Sequence, residues 1–385
     1  MLLARFQGID RTGSRGEPAR GRPRVEGESA PGRERRAPGV DAPGADIPLA
    51  DPSSRGTTWT VLICTRDRAR LLARALRAMR TLQDPGAPYE IVVVDNGSRD
   101  RTARVVRAAA ARSAVPVRYL YEPRGGLSVA RNVGIANARG EWVAFTDDDI
   151  IVDPGWLAAL GRGASARAAD FLGGRVLPRW GAPPPSWLPR GRARGEIWGA
   201  LALLDYGDRD VPLAVPLGAN MAVRREALLA VGPFREDLGR DAGSLKSQAV
   251  PELMLRLRAA GAQGWYVADA RVYHWIPPDR LTKRYFQRWF FWKGVSRAVM
   301  ERHAPVDEGG IDFRTVPRIG RIPRYMFRQV AESGLACVAN AIRGDPSGVL
   351  IAETRLCYLA GYARAVWFGD PSPTGKGLGP GGRGG

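Results

Sequence analysis

Trp142-Val-Ala-Phe-Thr-Asp-Asp-Asp149 decides how the chain is read. Its first four residues form an apolar run of strand length, and the stretch ends in three consecutive carboxylates. Adjacent carboxylates repel one another, and a fold tolerates three of them more readily when a divalent cation neutralises them. A solvated acidic turn is the plain alternative for an isolated Asp-Asp-Asp. The position at a strand's carboxyl end, opposite Asp95, favours the first reading. Hard oxygen ligands favour Mg2+ or Mn2+ over zinc.

Upstream, strands and helices alternate. Thr60–Cys64 is a short β-branched run, followed by Leu71, Leu72, Ala75, Leu76, Met79 and Leu82 at helical spacing. Glu90–Val94 reads as a buried strand that stops at Asp95-Asn96-Gly97-Ser98. A helix through Arg107, a strand at Val117–Tyr121 and a helix at Ser128–Ala138 follow. This alternation predicts an α/β fold with a parallel sheet and helices on both faces. Ligands in such sheets bind at the carboxyl ends of the strands, which here carry Thr65-Arg66-Asp67, Asp95 and the triple aspartate. Asp95 suits hydrogen bonding to a base or ribose, and equally an Asx-turn or helix cap. There is no GxGxxG and no GxxxxGK[ST], so a diphosphate held here depends on a metal and arginines.

Beyond Asp153 the pattern loosens, with proline-rich turns around Pro178–Pro189. Regularity returns at Leu217–Arg225 and in a helix at Glu252–Ala260. From Arg280 to about Trp367 the reading is mainly helical, interrupted near Ala304–Pro317.

The 385 residues and 44% hydrophobic content suffice for a sizeable core and exclude a wholly disordered chain. The net charge of +19 raises the question of a polyanionic partner. Of 58 basic residues only Lys246, Lys283, Lys293 and Lys376 are lysines, a bias that fits GC-rich codon usage as well as phosphate binding. Cys64, Cys337 and Cys357 are too few and scattered for a disulfide framework or a four-ligand zinc site, so a reducing compartment is expected. No stretch has the length of a signal sequence core or a membrane span. Residues 1–56 read as a disordered Arg/Gly/Pro-rich segment with nearly balanced charges, and residues 369–385 as a flexible Gly-rich tail.

Taken in order, TVLICTRDR, EIVVVDNGSRDRT, EPRGGLSVARNVGIANARGEWVAFTDDD, VDPGWL, LGANMAVRRE and ADARVYHW resemble the inverting GT-A glycosyltransferases of family 2, over about Thr58–Pro278. The resemblance implies a GT-A fold at 57–278, a Rossmann-like, mostly parallel sheet flanked by helices, with a C-terminal helical extension at 279–368. It implies a nucleotide-diphosphate sugar donor held by Thr65, Asp67, Asp95, Arg131, Asp147 and Asp148. Asp147 and Asp149 match the DxD that binds a Mn2+ or Mg2+ diphosphate, and His274 matches the histidine that closes the metal site. Read alone, a histidine between two aromatics is more often a packed core residue. Asn220, in a loop resembling the one between donor and acceptor sites, suits a sugar hydroxyl or simply a turn.

The sequence departs from this pattern where an inverting displacement needs a base for the acceptor hydroxyl. The family's base is the aspartate of a Glu-Asp pair at a helix start, and Ala249 and Val250 stand in those places. Glu252 lies two positions later, turned by about 200° on a helix from Val250. It serves only if the helix begins late. Asp237 and Asp241 are the nearby alternatives.

Arg271–Arg328 carries thirteen basic and five acidic residues, a net +8. Within it, Tyr285, Phe286, Trp289, Phe290, Phe291 and Trp292 interleave with bases. Residues 280–300 therefore suit an anionic membrane surface, or equally a helix packed on the preceding domain with a solvated basic face. The leading expectation is a cytoplasmic transferase, peripheral at the inner face of the plasma membrane, moving a sugar to a saccharide or lipid-linked acceptor in polysaccharide biosynthesis. A catalytically impaired relative that binds a sugar nucleotide or a partner enzyme is the second reading. A basic nucleic-acid-binding protein is the third, against which the acidic strand ends argue.

Overall fold

Thr65 pairs with Asp95 and Cys64 with Asp147 in the registers of three neighbouring parallel strands, so their carboxyl ends finish side by side. These strands are β1 (Trp59–Thr65), β2 (Tyr89–Asp95) and β4 (Trp142–Asp147); β3 (Val117–Tyr121) lies beyond β2. The chain is described by a computed structural model at residues 59–190, 195–241, 243–303, 307–308, 311–312 and 315–372. The segments 1–56 and 373–385, expected to be disordered or flexible, lie outside the described residues.

The crossovers of this parallel half are α1 (Ala69–Met79), α2 (Thr102–Ala110) and α3 (Leu127–Asn137). Ile, Val and Leu fill β1 and β2 because both faces of these strands are covered. Trp59 stacks on Trp142 at the opposite end, with ring centroids 5.5 Å apart.

The second half of the sheet is mixed. It contains β5 (Ile150–Val152), β6 (Phe171–Trp180), β7 (Val211–Pro212), β8 (Asn220–Arg224) and β9 (Gly264–Ile276). The order is β3-β2-β1-β4-β8-β6-β9-β5, with β7 also on β9. Antiparallel pairing of β5 with β9 sets Ile150 against His274 and so brings the histidine to the triple aspartate. Around this half lie α4 (Trp156–Ala166), α5 (Gly195–Ala200), α6 (Arg225–Val231) and α7 (Ala249–Ala259).

Three long helices follow: α8 (Lys283–His303), α9 (Arg324–Ile342) and α10 (Pro346–Phe368). Phe286 and Phe290 of α8 are buried in the core and Trp289 nearly so. With Tyr285, Phe291 and Trp292 also partly buried, this favours the packed reading of the helix over a membrane surface through 280–300. A Cβ on Gly294 would overlap the Tyr358 carbonyl, and one on Gly361 the Phe291 carbonyl. The two glycines let the backbones of α8 and α10 touch. The first residues after α10 are also packed. Lys246 Nζ lies 2.6 Å from Asp370 Oδ2, and Ser372 is buried.

Candidate active site

The aligned strand ends open into a cavity of about 760 Å3. Its walls come from the β1 end (Cys64–Arg68), the start of α3, the triple aspartate, residues 215–219, the loop 238–241 and the start of α7. His274 and Arg280 close one side, and Trp289 and Lys293 of α8 complete the wall.

At the acidic end, Thr65 Oγ1 donates to Asp148 Oδ2 at 2.7 Å, and Arg68 Nη1 bridges Asp148 Oδ1 (3.0 Å) and Asp149 Oδ2 (3.2 Å). Asp149 also faces His274 Nε2 at 3.4 Å and Arg280 Nη2 at 3.6 Å. Burial pushes the Asp148 carboxyl up to about 6, against the attraction of Arg68. Burial acts the same way on Asp149, but the His274 contact and the Arg280 and Arg68 charges outweigh it and hold that carboxyl well below the usual range. Asp147 is the most exposed of the three and has Arg131 Nη2 at 3.7 Å. Burial pushes the nearby Cys64 thiol up to about 12.

His274 Nδ1 lies 2.8 Å from the Leu201 carbonyl, and its Nε2 has Arg280 Nη1 at 3.2 Å as well as the Asp149 carboxylate. Two carboxylates and an imidazole nitrogen are donors that suit Mn2+ or Mg2+. Among the described residues no three His, Cys, Asp or Glu side chains are drawn together at metal-binding spacing. Arg68 and Arg280 place positive charge beside Asp149.

The remaining expected residues divide clearly. Asp95 is buried; its Oδ1 accepts from Ser98 N and its Oδ2 from Tyr119 Oη, both at 2.8 Å. The local capping reading of this residue is thus realised, while its neighbour Asn96 reaches the cavity and fixes the loop before α3 through Arg124 O and Gly126 N. Asp67 borders the cavity with a left-handed φ of 53°, held by Arg99 N at 2.7 Å. Arg131 lines the cavity and packs over Phe234.

Asn220 requires a correction. Its Oδ1 accepts from Trp156 Nε1, and its Nδ2 donates to the Arg175 and Ala270 carbonyls, all within the core. It braces β8 and does not line the cavity. Glu252 is likewise committed elsewhere. Helix α7 starts early, at Ala249, and Glu252 forms a two-pronged pair with Arg256 at 2.9 Å, which in turn caps the Val231, Gly232 and Pro233 carbonyls. Asp237 is similarly forked by Arg235. Of the three base candidates only Asp241 lines the cavity, as does Val250.

Sequence reasoning missed Arg68, Arg240, Lys246 and Arg280. Arg68 and Arg280 belong to a β-strand exit and a post-strand turn, and only the fold brings them to Asp149. Arg240 is half-buried in the cavity wall within electrostatic reach of Asp147 and Asp149.

A parallel half-sheet of order 3-2-1-4, ending in carboxylates at a cationic cavity, is the arrangement of the GT-A fold. Residues 60–232 match the model of glycosyl transferase family 2, and they form a domain of that family. The chain is 25% identical over 232 residues to the succinoglycan biosynthesis protein ExoM of Rhizobium meliloti, covering 58% of this chain and 71% of that protein. It is 26% identical over 334 residues to a pre-mycofactocin glycosyltransferase of Mycobacterium tuberculosis, covering 83% of this chain and 64% of the relative. The fold is shared with the mannosyltransferase PcManGT from Pyrobaculum calidifontis, solved in complex with GDP-Man and Mn2+. There the TM-score is 0.51 at 18% identity, over 82% of this chain and 89% of that one. Among the described residues no helix is long and apolar enough to cross a membrane.

Proposed function

We propose that the chain transfers a sugar from a nucleotide-diphosphate donor to a saccharide or lipid-linked acceptor, with inversion at the anomeric carbon. The observation that carries this reading is the cavity itself: carboxylates at aligned strand ends, ringed by Arg68, Arg131, Arg240 and Arg280. In this reading Asp147, Asp149 and His274 hold a divalent cation, which supplies Lewis-acid stabilisation of the departing diphosphate. Thr65, Asn96 and Asp67 border the nucleoside end. Arg131 and Arg240 face the phosphates, where guanidinium groups match phosphate geometry and remain charged. Asp241 accepts the acceptor's proton, being the base candidate that lines the cavity.

Val250 in the cavity wall favours a second reading, in which donor binding is retained and transfer is slow. The nucleic-acid reading has no comparable support, because the carboxylates at the strand ends repel phosphate unless a cation intervenes.

A screen of sugar nucleotides for Mn2+-dependent binding and turnover tests the proposal, using wild type, Asp241→Asn and Val250→Asp. Turnover abolished by Asp241→Asn is expected. Binding without turnover in the wild type, gained in Val250→Asp, would establish the second reading. Absence of metal-dependent binding to any sugar nucleotide would overturn both.

A further inference from the structure

Among the described residues ten large hydrophobic side chains are conspicuously exposed, and eight of them fall in residues 319–368, so apolar exposure there is concentrated on one part of the chain. Five of the eight lie on α9: Phe327 (45% exposed), Val330 (47%), Leu335 (73%), Val338 (60%) and Ile342 (81%). At 100° per residue they share an arc of about 140°. Met326 and Ser333, the buried positions of α9, lie outside that arc. The helix therefore has two apolar sides, one packed on the protein and one turned outward.

Helices α9 and α10 are joined by three residues and run antiparallel, which places the start of α9 at the end of α10. There Trp367 (58% exposed) and Phe368 (72%) extend the apolar surface, with the Arg364 guanidinium over the Phe368 ring at 5.1 Å. The charge around this surface is one-sided. Residues 318–343 carry five arginines and a single acid, Glu332, which pairs with Arg328.

We propose that the outer face of α9, with Trp367 and Phe368, is a docking surface for an anionic lipid bilayer. A helix lying in the interface inserts aliphatic and aromatic side chains to the depth of the acyl boundary, and tryptophan sits at headgroup level. Arg321, Arg324, Arg328 and Arg343 then meet the headgroup phosphates. This surface is separate from the aromatic segment of α8, where Phe286, Trp289 and Phe290 are buried, and the assignment is independent of the chemistry in the cavity. A basic rim suits anionic lipid better than a second copy of the same basic face, which would repel it.

Flotation of the full chain with vesicles of phosphatidylcholine, with and without phosphatidylglycerol, tests this. Wild type is expected to float with the anionic vesicles, and Leu335→Glu/Val338→Glu/Ile342→Glu is expected to remain unbound. Since these positions are exposed, the thermal midpoint of the triple variant should stay within a few degrees of wild type. Arg324→Glu/Arg328→Glu keeps the apolar face and is expected to bind about tenfold weaker or less, with the loss shrinking in high salt. Equal flotation of wild type and triple variant would overturn the assignment, as would no flotation of wild type. Sedimentation velocity showing a wild-type dimer that the triple substitution dissociates would overturn it in favour of a second copy.

Discussion

Lys246 and Asp370, 124 residues apart in sequence, form a buried ion pair that ties the cavity-lining loop before α7 to the chain beyond α10. Lys246 Nζ also donates to the Asp237 carbonyl at 2.9 Å, so one ammonium fixes both ends of the loop that carries Asp241. Removing one partner strands a charge in the interior. Lys246→Met is expected to lower stability by about 3–5 kcal/mol, while Lys246→Met/Asp370→Leu recovers much of that loss. Urea unfolding of the three proteins checks it, and equal destabilisation of single and double variants would refute the pairing.

The two outer members of the triple aspartate should separate by their surroundings. Asp147→Asn alters a partly exposed group and is expected to reduce metal-dependent turnover about 100-fold or more with stability changed by less than about 1 kcal/mol. Asp149→Asn breaks contacts to Arg68, Arg280 and His274 and should cost both activity and stability. Turnover with Mn2+ and thermal unfolding on both variants read the difference.

Glu252 and Asp241, both base candidates in the sequence, should separate into a structural and a catalytic role. Glu252→Gln weakens the fork that positions Arg256 on three carbonyls, so unfolding shifts by about 2 kcal/mol while kcat of the folded enzyme is retained. Asp241→Asn is expected to lower kcat by about 100-fold or more with little effect on unfolding. A kcat collapse confined to Glu252→Gln would reverse the assignment.

Asn220→Ala leaves Trp156 Nε1 and two carbonyls without their partner inside the core. A loss of about 2–3 kcal/mol in urea unfolding is expected, with acceptor KM unchanged. A raised acceptor KM at unchanged stability would return Asn220 to the acceptor side.

Gly361→Leu forces a side chain into the Phe291 backbone. Overpacking of this kind is expected to cost about 3 kcal/mol and to lower turnover together with stability, because α8 carries Trp289 and Lys293 of the cavity wall. Unfolding and turnover measured on the same preparation test whether the two fall together.

The parallel half-sheet was legible because buried parallel strands write themselves as apolar runs. Glu90–Val94 and Val117–Tyr121 were placed to within a residue or two, and the strand ends followed. The mixed half was harder. Phe171–Trp180 contains two glycines, a proline and two arginines, and its pairing with β9 is irregular between Gly174 and Arg175, so no strand period survives in it. The start of α7 is read three residues late because Ala249, Val250 and Pro251 carry no cap signal, whereas the turn of Glu252 away from Val250 follows from their spacing alone. Hydrogen-bond saturation, which decides Asn220, has no sequence signature at all.

The contact of Gly294 with the Tyr358 backbone and of Gly361 with the Phe291 backbone has a mechanical side. Where helices meet through interlocking side chains, rotamer changes absorb small displacements. Here main chain bears on main chain, with no compliant layer between. Sliding α10 along its axis therefore requires either that these glycine contacts open or that α8, which carries Trp289 and Lys293, goes with it.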